Sequence, residues 1–529
     1  MKRMLSLSFL ILLGCAMLAV LEGRVIDVPK DHTTIQAAID VAEGGDEIIV
    51  APGTYKEEIH LRANIVVRSA GGDEKGELGF VRAERTLIVG TGDGVKGEGP
   101  VAGVTMAEGS TFDGFTVTGV GTYDEKKWEE HWETRGNKQA HEDIGHFGAP
   151  GIGADGVKCT ILNNIVHHIG HTGIAVGGVE GGEVASIVTG NFCYRNMGGG
   201  IGVMRKSKAL ITGNTCFENF YAGIGHHDSS PRVEKNRCYG NIRAGIGISE
   251  GAYPTVRGNL CYHNRRAGIG TRTGKKTTPI IEENHCYENG MAGIGADEGS
   301  APIIRKNICE RNALAGIGAR GNAMPKIIGN VCRDNKASGI GFEECDKGSA
   351  TVTGNQLINN AMVAIGVQRG WAVEISGNTL SREGGLPPMI MVFEGADCTI
   401  KDNTFQVSGV AGVRVAGTAR VIGNQFDGGA VRKGGPPHFG VWALAGSTVT
   451  VRGNHFKSLR HGLHASDAAV SAVGNVTEDF SRVAFVIQKP SKPPGLQNNI
   501  AITSEPGALA VQVDGKNFEE NGNLVKPVE

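Results

Sequence analysis

The stretch Thr255-Val256-Arg257-Gly258-Asn259-Leu260-Cys261-Tyr262-His263-Asn264-Arg265-Arg266-Ala267-Gly268-Ile269-Gly270 recurs, with substitutions, along most of the chain. Its first asparagine has counterparts at Asn164, Asn191, Asn214, Asn236, Asn284, Asn307, Asn330, Asn355, Asn378, Asn403, Asn424, Asn454 and Asn475, in steps of 21 to 30 residues. Two positions later, seven of these copies carry Cys193, Cys216, Cys238, Cys261, Cys286, Cys309 and Cys332. A second asparagine and then Gly-Ile-Gly complete the unit. A unit of about 23 residues with three short strands cannot bury its own apolar side, so stacked units must bury one another. Equivalent residues then form ladders about 4.8 Å apart. Alternation along each strand points Ile201, Ile224, Ile246 and their equivalents inward and the glycine after each of them outward. Asparagine suits the turns, because it tolerates the left-handed region and its amide bonds to neighbours.

Composition agrees with many tight turns. Glycine is 82 of 529 residues and aromatic side chains are 5%. The formal charge is −2 and no basic block exists, which argues against nucleic acid as a partner. Residues 1–23 read as an export signal: Lys2 and Arg3 precede an apolar run from Leu5 to Leu13. Leu12-Leu13-Gly14-Cys15 resembles a bacterial lipobox, which implies a lipidated Cys15 and membrane attachment. Plain secretion or release into the periplasm is the alternative. No later stretch has the roughly 20 apolar residues of a membrane span. Residues 24–529 are expected to form one monomeric domain of roughly nineteen coils.

The repeat resembles that of the pectin-lyase-like superfamily of right-handed parallel β-helices. The stretch Thr34-Ile35-Gln36-Ala37-Ala38-Ile39-Asp40, with Ala51-Pro52-Gly53-Thr54-Tyr55 after it, is similar to the N-terminal cap of many bacterial members. The resemblance implies an all-β solenoid, a right-handed parallel β-helix with an N-terminal capping helix. Ile35, Ala38, Ile39 and Ala42 fall on one face of that helix, which would cover the open end of the coil. Members of the superfamily often cleave or epimerise uronate sugars. The resemblance thus implies an exported protein that acts on, or binds, an extended and uronate-containing polysaccharide. Fold alone does not fix chemistry. The catalytic blocks of pectin methylesterases, polygalacturonases and alginate epimerases are absent, and His226-His227-Asp228 is a faint echo of the Asp-Pro-His-Asp of the last group. A non-catalytic glycan-binding or cell-surface module, or a periplasmic accessory protein, therefore stays open beside the enzyme.

The cysteines read as buried thiols. Later coils put Leu357, Leu380, Phe405, Phe426 and Phe456 in the same slot, and ladder neighbours with parallel Cβ vectors are too far apart for disulfides. No cysteine spacing fits a zinc site, so no metal residue is assigned; calcium is left open. One position on, His167, Tyr194, Phe217, Tyr239, Tyr262 and Tyr287 form an outward aromatic ladder, read as cross-coil packing with sugar stacking as the alternative.

The turn before the Gly-Ile-Gly strand expands three times, near residues 120–150, 381–388 and 427–438. Long insertions on one side of a regular solenoid suggest a walled groove. Gly202 to Gly341 leave its floor bare, and Arg414, Trp442 and His464 take the glycine slot in later coils. Proton abstraction from a uronate needs a cation for the carboxylate and a base for the C5 proton. His227 is the expected base, with Asp228 beside it and Arg205 or Arg272 as the cation; Glu250 joins Asp228 if two carboxylates work together in hydrolysis. Trp128, Trp132, Asp297, Arg320, Glu343, Arg414, Trp442 and His464 are the expected substrate contacts. The first insertion is expected over the His227 half of the face, bringing Trp128 or Trp132 to the sugar. Alternating charges on adjacent coils that merely pair with one another are the competing reading of the charged edge.

Overall fold

The computed structural model describes residues 23–90, 95–96, 99–137, 139, 148–182, 184–430, 435, 438–514, 516–517 and 522–527. The leader with Cys15, and His141 and His146 of the first insertion, lie outside them. Three sheets of 19 strands each wind along the chain. The first sheet runs from Val25–Val28 to Gly495–Gln497, the second from Gly53–Tyr55 to Leu524–Pro527, and the third from Ile59–His60 to Leu509–Val513 with Lys516–Asn517 added antiparallel at its end. Helix is scarce. α1 (Ile35–Val41) buries Ile35, Ala38 and Ile39 against the first coils, with the Thr34 hydroxyl accepting from the Ala37 N–H. α2 (Val81–Arg85) and α3 (Glu125–Glu133) sit in connections between coils. No helix among the described residues is long and apolar enough to cross a membrane.

Register repeats by one coil throughout. Ile201 pairs with Ile224, Ile224 with Ile246, and Ile246 with Ile269, and all of these side chains are fully buried. The thiols of Cys193, Cys216, Cys238, Cys261, Cys286, Cys309 and Cys332 stack in the same way, free and buried. Burial pushes the Cys216, Cys238 and Cys261 thiols far above their ordinary value, which leaves them unreactive.

Of the two roles expected of the asparagines, they take the amide bonding and not the left-handed backbone. The left-handed backbone falls on the residue before each of them: Gly213, Lys235, Gly258 and Glu283 have φ of 65°, 55°, 63° and 56°, ahead of Asn214, Asn236, Asn259 and Asn284. The asparagine itself turns inward and is buried. The Asn259 Nδ2 donates to the carbonyls of Val233 (2.9 Å) and Arg257 (3.1 Å) and to Asn284 Oδ1 (2.9 Å). Its Oδ1 accepts from the Asn236 backbone N–H (2.9 Å) and from Asn236 Nδ2 (3.0 Å). This amide ladder continues past Asn475 to Asn499 and Asn523. A second one runs from Asn196 through Asn219, Asn241 and Asn264 to Asn360. Each ladder satisfies turn carbonyls that have no water to bond.

Candidate functional site

All three insertions leave the same corner, between a second-sheet strand and a third-sheet strand, so the outer face of the third sheet is the one they border. Its floor is bare in the repeat-rich half. A Cβ built on Gly225 or Gly295 would meet nothing within 4 Å, and one on Gly247 or Gly270 would meet only an alanine methyl. Gly366 is followed in register by Met391, Arg414, Trp442 and His464, so the floor turns from flat to aromatic and cationic along one file.

The charged edge beyond these strands is largely paired. Arg205 reaches Asp155, Lys206 lies 2.5 Å from Asp228, Arg272 meets Glu298, Arg320 lies 2.8 Å from Asp297, and Arg369 meets Glu344. Gly177 makes the first of these pairs possible, since a Cβ there would collide with both partners. Arg205, Asp228, Glu250 and Glu298 occupy left-handed turn positions, with φ between 46° and 53°. Arg205, Asp228, Arg272, Asp297 and Arg320 are thus members of cross-coil ion pairs, not open groups edging a groove. Glu343 is exposed, and its carbonyl accepts from the Trp371 indole at 2.6 Å. The Glu250 N–H donates to the Thr273 hydroxyl. His227 is exposed on the outer face, between Met204 and Ser249 in register. Its neighbour His226 points inward, donating from Nδ1 to the Gly247 carbonyl at 2.9 Å, and burial lowers its pKa to about 4.

The first insertion packs on the corner turns of the His227 half. Asp124 caps α3, accepting from the Lys127 N–H at 2.9 Å, and the helix lays Trp128 and His131 onto the corner turns. Trp128 is buried against Phe220 and Ile242 and donates its indole N–H to the Glu218 carbonyl at 2.8 Å. Arg195 lies 3.7 Å above its ring, and Trp132 stacks on it at 5.3 Å. Arg265 covers Trp132 at 4.7 Å and donates to its carbonyl. Trp128 thus serves as a buried fastener of the insertion, while Trp132, stacked on it under Arg265, stays partly exposed. An amphipathic helix beside an apolar corner buries its aromatic face there, and the repeat register gives no hint of that position.

The other end of the face gathers more chemistry. Arg414 lies 4.8 Å over the Trp442 ring. Phe439 stands 5.2 Å from Trp442, 5.0 Å from His464 and 5.6 Å from His461. His438 accepts from Arg460 at 3.1 Å. Arg414 Nε, Arg460 Nε and His464 Nδ1 are buried without a hydrogen-bond partner. Burial lowers the pKa of His464, and that of His461 to about 4, so both rings are neutral near pH 7. Sequence reading found Arg414, Trp442 and His464 but missed Phe439 and His461. The signal was available: Phe439-Gly440-Val441-Trp442-Ala443 and His461-Gly462-Leu463-His464-Ala465 place rings three apart on stacked strands. In the second sheet the aromatic ladder is closely self-stacked, with ring centroids 4.8 to 5.0 Å apart from Tyr194 to Tyr287, which leaves mainly ring edges outward. Among the described residues no three His, Cys, Asp or Glu side chains converge to hold a metal ion.

The family model described as "Right handed beta helix region" matches residues 143–278 and 233–380. Among solved structures, the chain is similar over 75% of its length to the A-module of a mannuronan C-5 epimerase from Azotobacter vinelandii, covering 95% of that chain at 16% identity and a TM-score of 0.37. It is similar over 68% of its length to a periplasmic alginate epimerase, covering 83% of that chain at 16% identity and a TM-score of 0.42. Similarity to the Dettilon tailspike protein spans 84% of this chain and 68% of that one, at 15% identity and a TM-score of 0.33. No curated protein sequence matches. Three parallel sheets wound in register, with the right-handed β-helix match over residues 143–380, make the fold a right-handed parallel β-helix.

Proposed function

We propose that the chain binds an extended polysaccharide along the outer face of its third sheet and grips one sugar at Arg414, Trp442, Phe439 and His464. The observation that carries this reading is the union, in one small patch, of two aromatic rings with three buried nitrogens that have no partner among the described residues. Aromatic faces receive the C–H surface of a sugar, and unpartnered buried donors are costly unless a ligand satisfies them. The bare glycine floor leading to the patch gives the rest of the chain a path. The leader-like residues 1–23 support an exported protein, with the glycan as an external partner.

A catalytic version of the reading rests on the Arg414 and His464 pair. Arg414 and His464 flank Trp442 one coil to either side. A guanidinium can neutralise a uronate carboxylate, and a neutral imidazole can accept the C5 proton; this is the chemistry of a lyase or an epimerase. In this reading the base moves from His227 to His464, because the cation nearest His227 is already paired.

The test is a panel of neutral, uronate and sulfated polysaccharides, read by binding and by new chain ends. Trp442→Ala is expected to weaken the best ligand by about 30-fold, near 2 kcal/mol, as truncation of a central aromatic anchor does. His464→Ala is expected to remove any turnover and leave most of the binding. Wild-type affinity in Trp442→Ala removes the reading.

A further inference from the structure

The reading above leaves open what kind of polysaccharide the face accepts, and a second cluster speaks to that. Two consecutive copies of the corner turn read Asn241-Ile242-Arg243-Ala244-Gly245 and Asn264-Arg265-Arg266-Ala267-Gly268. The following strands pair Ile246 with Ile269 and Gly247 with Gly270, and the Arg266 N–H donates to the Arg243 carbonyl at 3.2 Å. Arg243 and Arg266 therefore stand directly one above the other, about one 4.8 Å coil apart. Like charges on neighbouring rungs repel. The charged edge of this protein otherwise pairs opposite signs, as in Arg205 with Asp155 and Arg320 with Asp297. Here, among the described residues, no carboxylate forms an ion pair with either arginine.

Arg266 is held by neutral acceptors, the carbonyls of Arg135 (3.0 Å) and Gly136 at the end of the first insertion. Such acceptors fix the guanidinium without cancelling its charge. Among the described residues Arg243 Nη1 is buried with no hydrogen-bond partner. Burial first, and then Arg266 and Arg272 nearby, lower the Arg243 pKa to about 10, with Glu298 acting in the opposite direction. The strands that follow these turns carry Gly247 and Gly270, where an added Cβ would meet only an alanine methyl. A second like-charged pair, Arg460 and Arg482, borders the aromatic end; burial first, and then these two arginines, depress the pKa of His438.

We infer that Arg243, in register with Arg266 at the corner beside the glycine floor, is a cradle for an anionic substituent of the polysaccharide, a carboxylate or a sulfate ester; this rests on the reading given under Proposed function. Buried donors in fixed geometry, with charge that the fold does not balance, stabilise the fold only when an anion arrives. The cradle makes the preferred ligand an acidic chain.

The experiment uses the full chain and its Arg243→Gln and Arg243→Lys variants. Binding is measured to an oligouronate, a sulfated oligosaccharide and a neutral oligosaccharide. Melting midpoints are measured without glycan, in sodium sulfate and in sodium chloride of equal ionic strength. Wild type is expected to prefer one of the acidic ligands, and which one names the anion. Arg243→Gln should weaken that ligand at least tenfold, leave the neutral one unchanged and melt at a higher temperature than wild type without glycan. Arg243→Lys should recover most of the affinity. Equal acidic binding by wild type and Arg243→Gln overturns the cradle while the glycan-binding face stands. If no glycan binds wild type, the broader reading fails, and the melting data then decide the cradle alone. Extra stabilisation by sulfate in wild type that is absent in Arg243→Gln supports it, and equal sulfate effects in both overturn it.

Discussion

Replacing Asn259 by leucine is expected to destabilise the solenoid by about 5 kcal/mol, although the two side chains are similar in size. The loss comes from groups left behind. The Asn236 backbone N–H and the Val233 carbonyl lose buried partners, and the Asn236 and Asn284 amides lose their link. Each buried group left unpaired costs about 1–3 kcal/mol, and a leucine returns only part of that as apolar burial. Because each coil touches only its neighbours, the damage is expected as an early unfolding step of the central coils. Urea titration followed by far-UV circular dichroism reads it directly. A shift below about 1 kcal/mol would mean that water replaces the amide and that the ladder is not the fastening described here.

The second large effect is acid sensitivity well above the carboxylate range. His226 and His461 are buried, and burial holds each at about 4 against an ordinary 6.5. The unfolded chain takes up protons on these rings below about pH 6.5, whereas the folded chain resists until about pH 4. Stability from keeping them neutral is therefore complete above pH 6.5, falls between 6.5 and 4, and stays lost below. Each ring is worth up to about 3 kcal/mol across that window, so the pair contributes roughly 6 kcal/mol. Carboxylates act lower: Asp46, bonded to Arg24, is held at about 2. Urea midpoints at pH 7.5 and pH 4.5 should differ strongly, and His226→Leu should shrink the difference by about a third at most, because burial holds His167 at about 4 as well. A His226→Leu protein with the wild-type pH dependence would show that His226 is protonated in place.

The coil was legible because a stacked ladder demands the same side chain at every rung. Ile246 and Ile269 need each other's burial, so the register is written in the spacing itself. Less could be read where neighbouring coils differ. Arg205 reaching over Gly177 to Asp155 spans two coils, and only the folded turn shows that a glycine clears the way. α3 carries no repeat, so nothing in its sequence said that Trp128 would dock on Phe220 and not on the open face. Arg243 and Arg266 hid inside a regular turn motif, where their stacking was visible but their missing partner was not. The asparagines were placed in the right turns and their amides bond to neighbours as expected, but the residue before each takes the left-handed backbone.

The claim that a glycan lies on the third sheet is tested most directly by hydroxyl-radical footprinting with and without the best ligand of the panel. Bound glycan should protect Trp442, Phe439 and His464 from oxidation and leave Tyr239, Tyr262 and Tyr287 of the second-sheet ladder unchanged. Protection of the tyrosine ladder, with Trp442 and Phe439 as reactive as before, would contradict it.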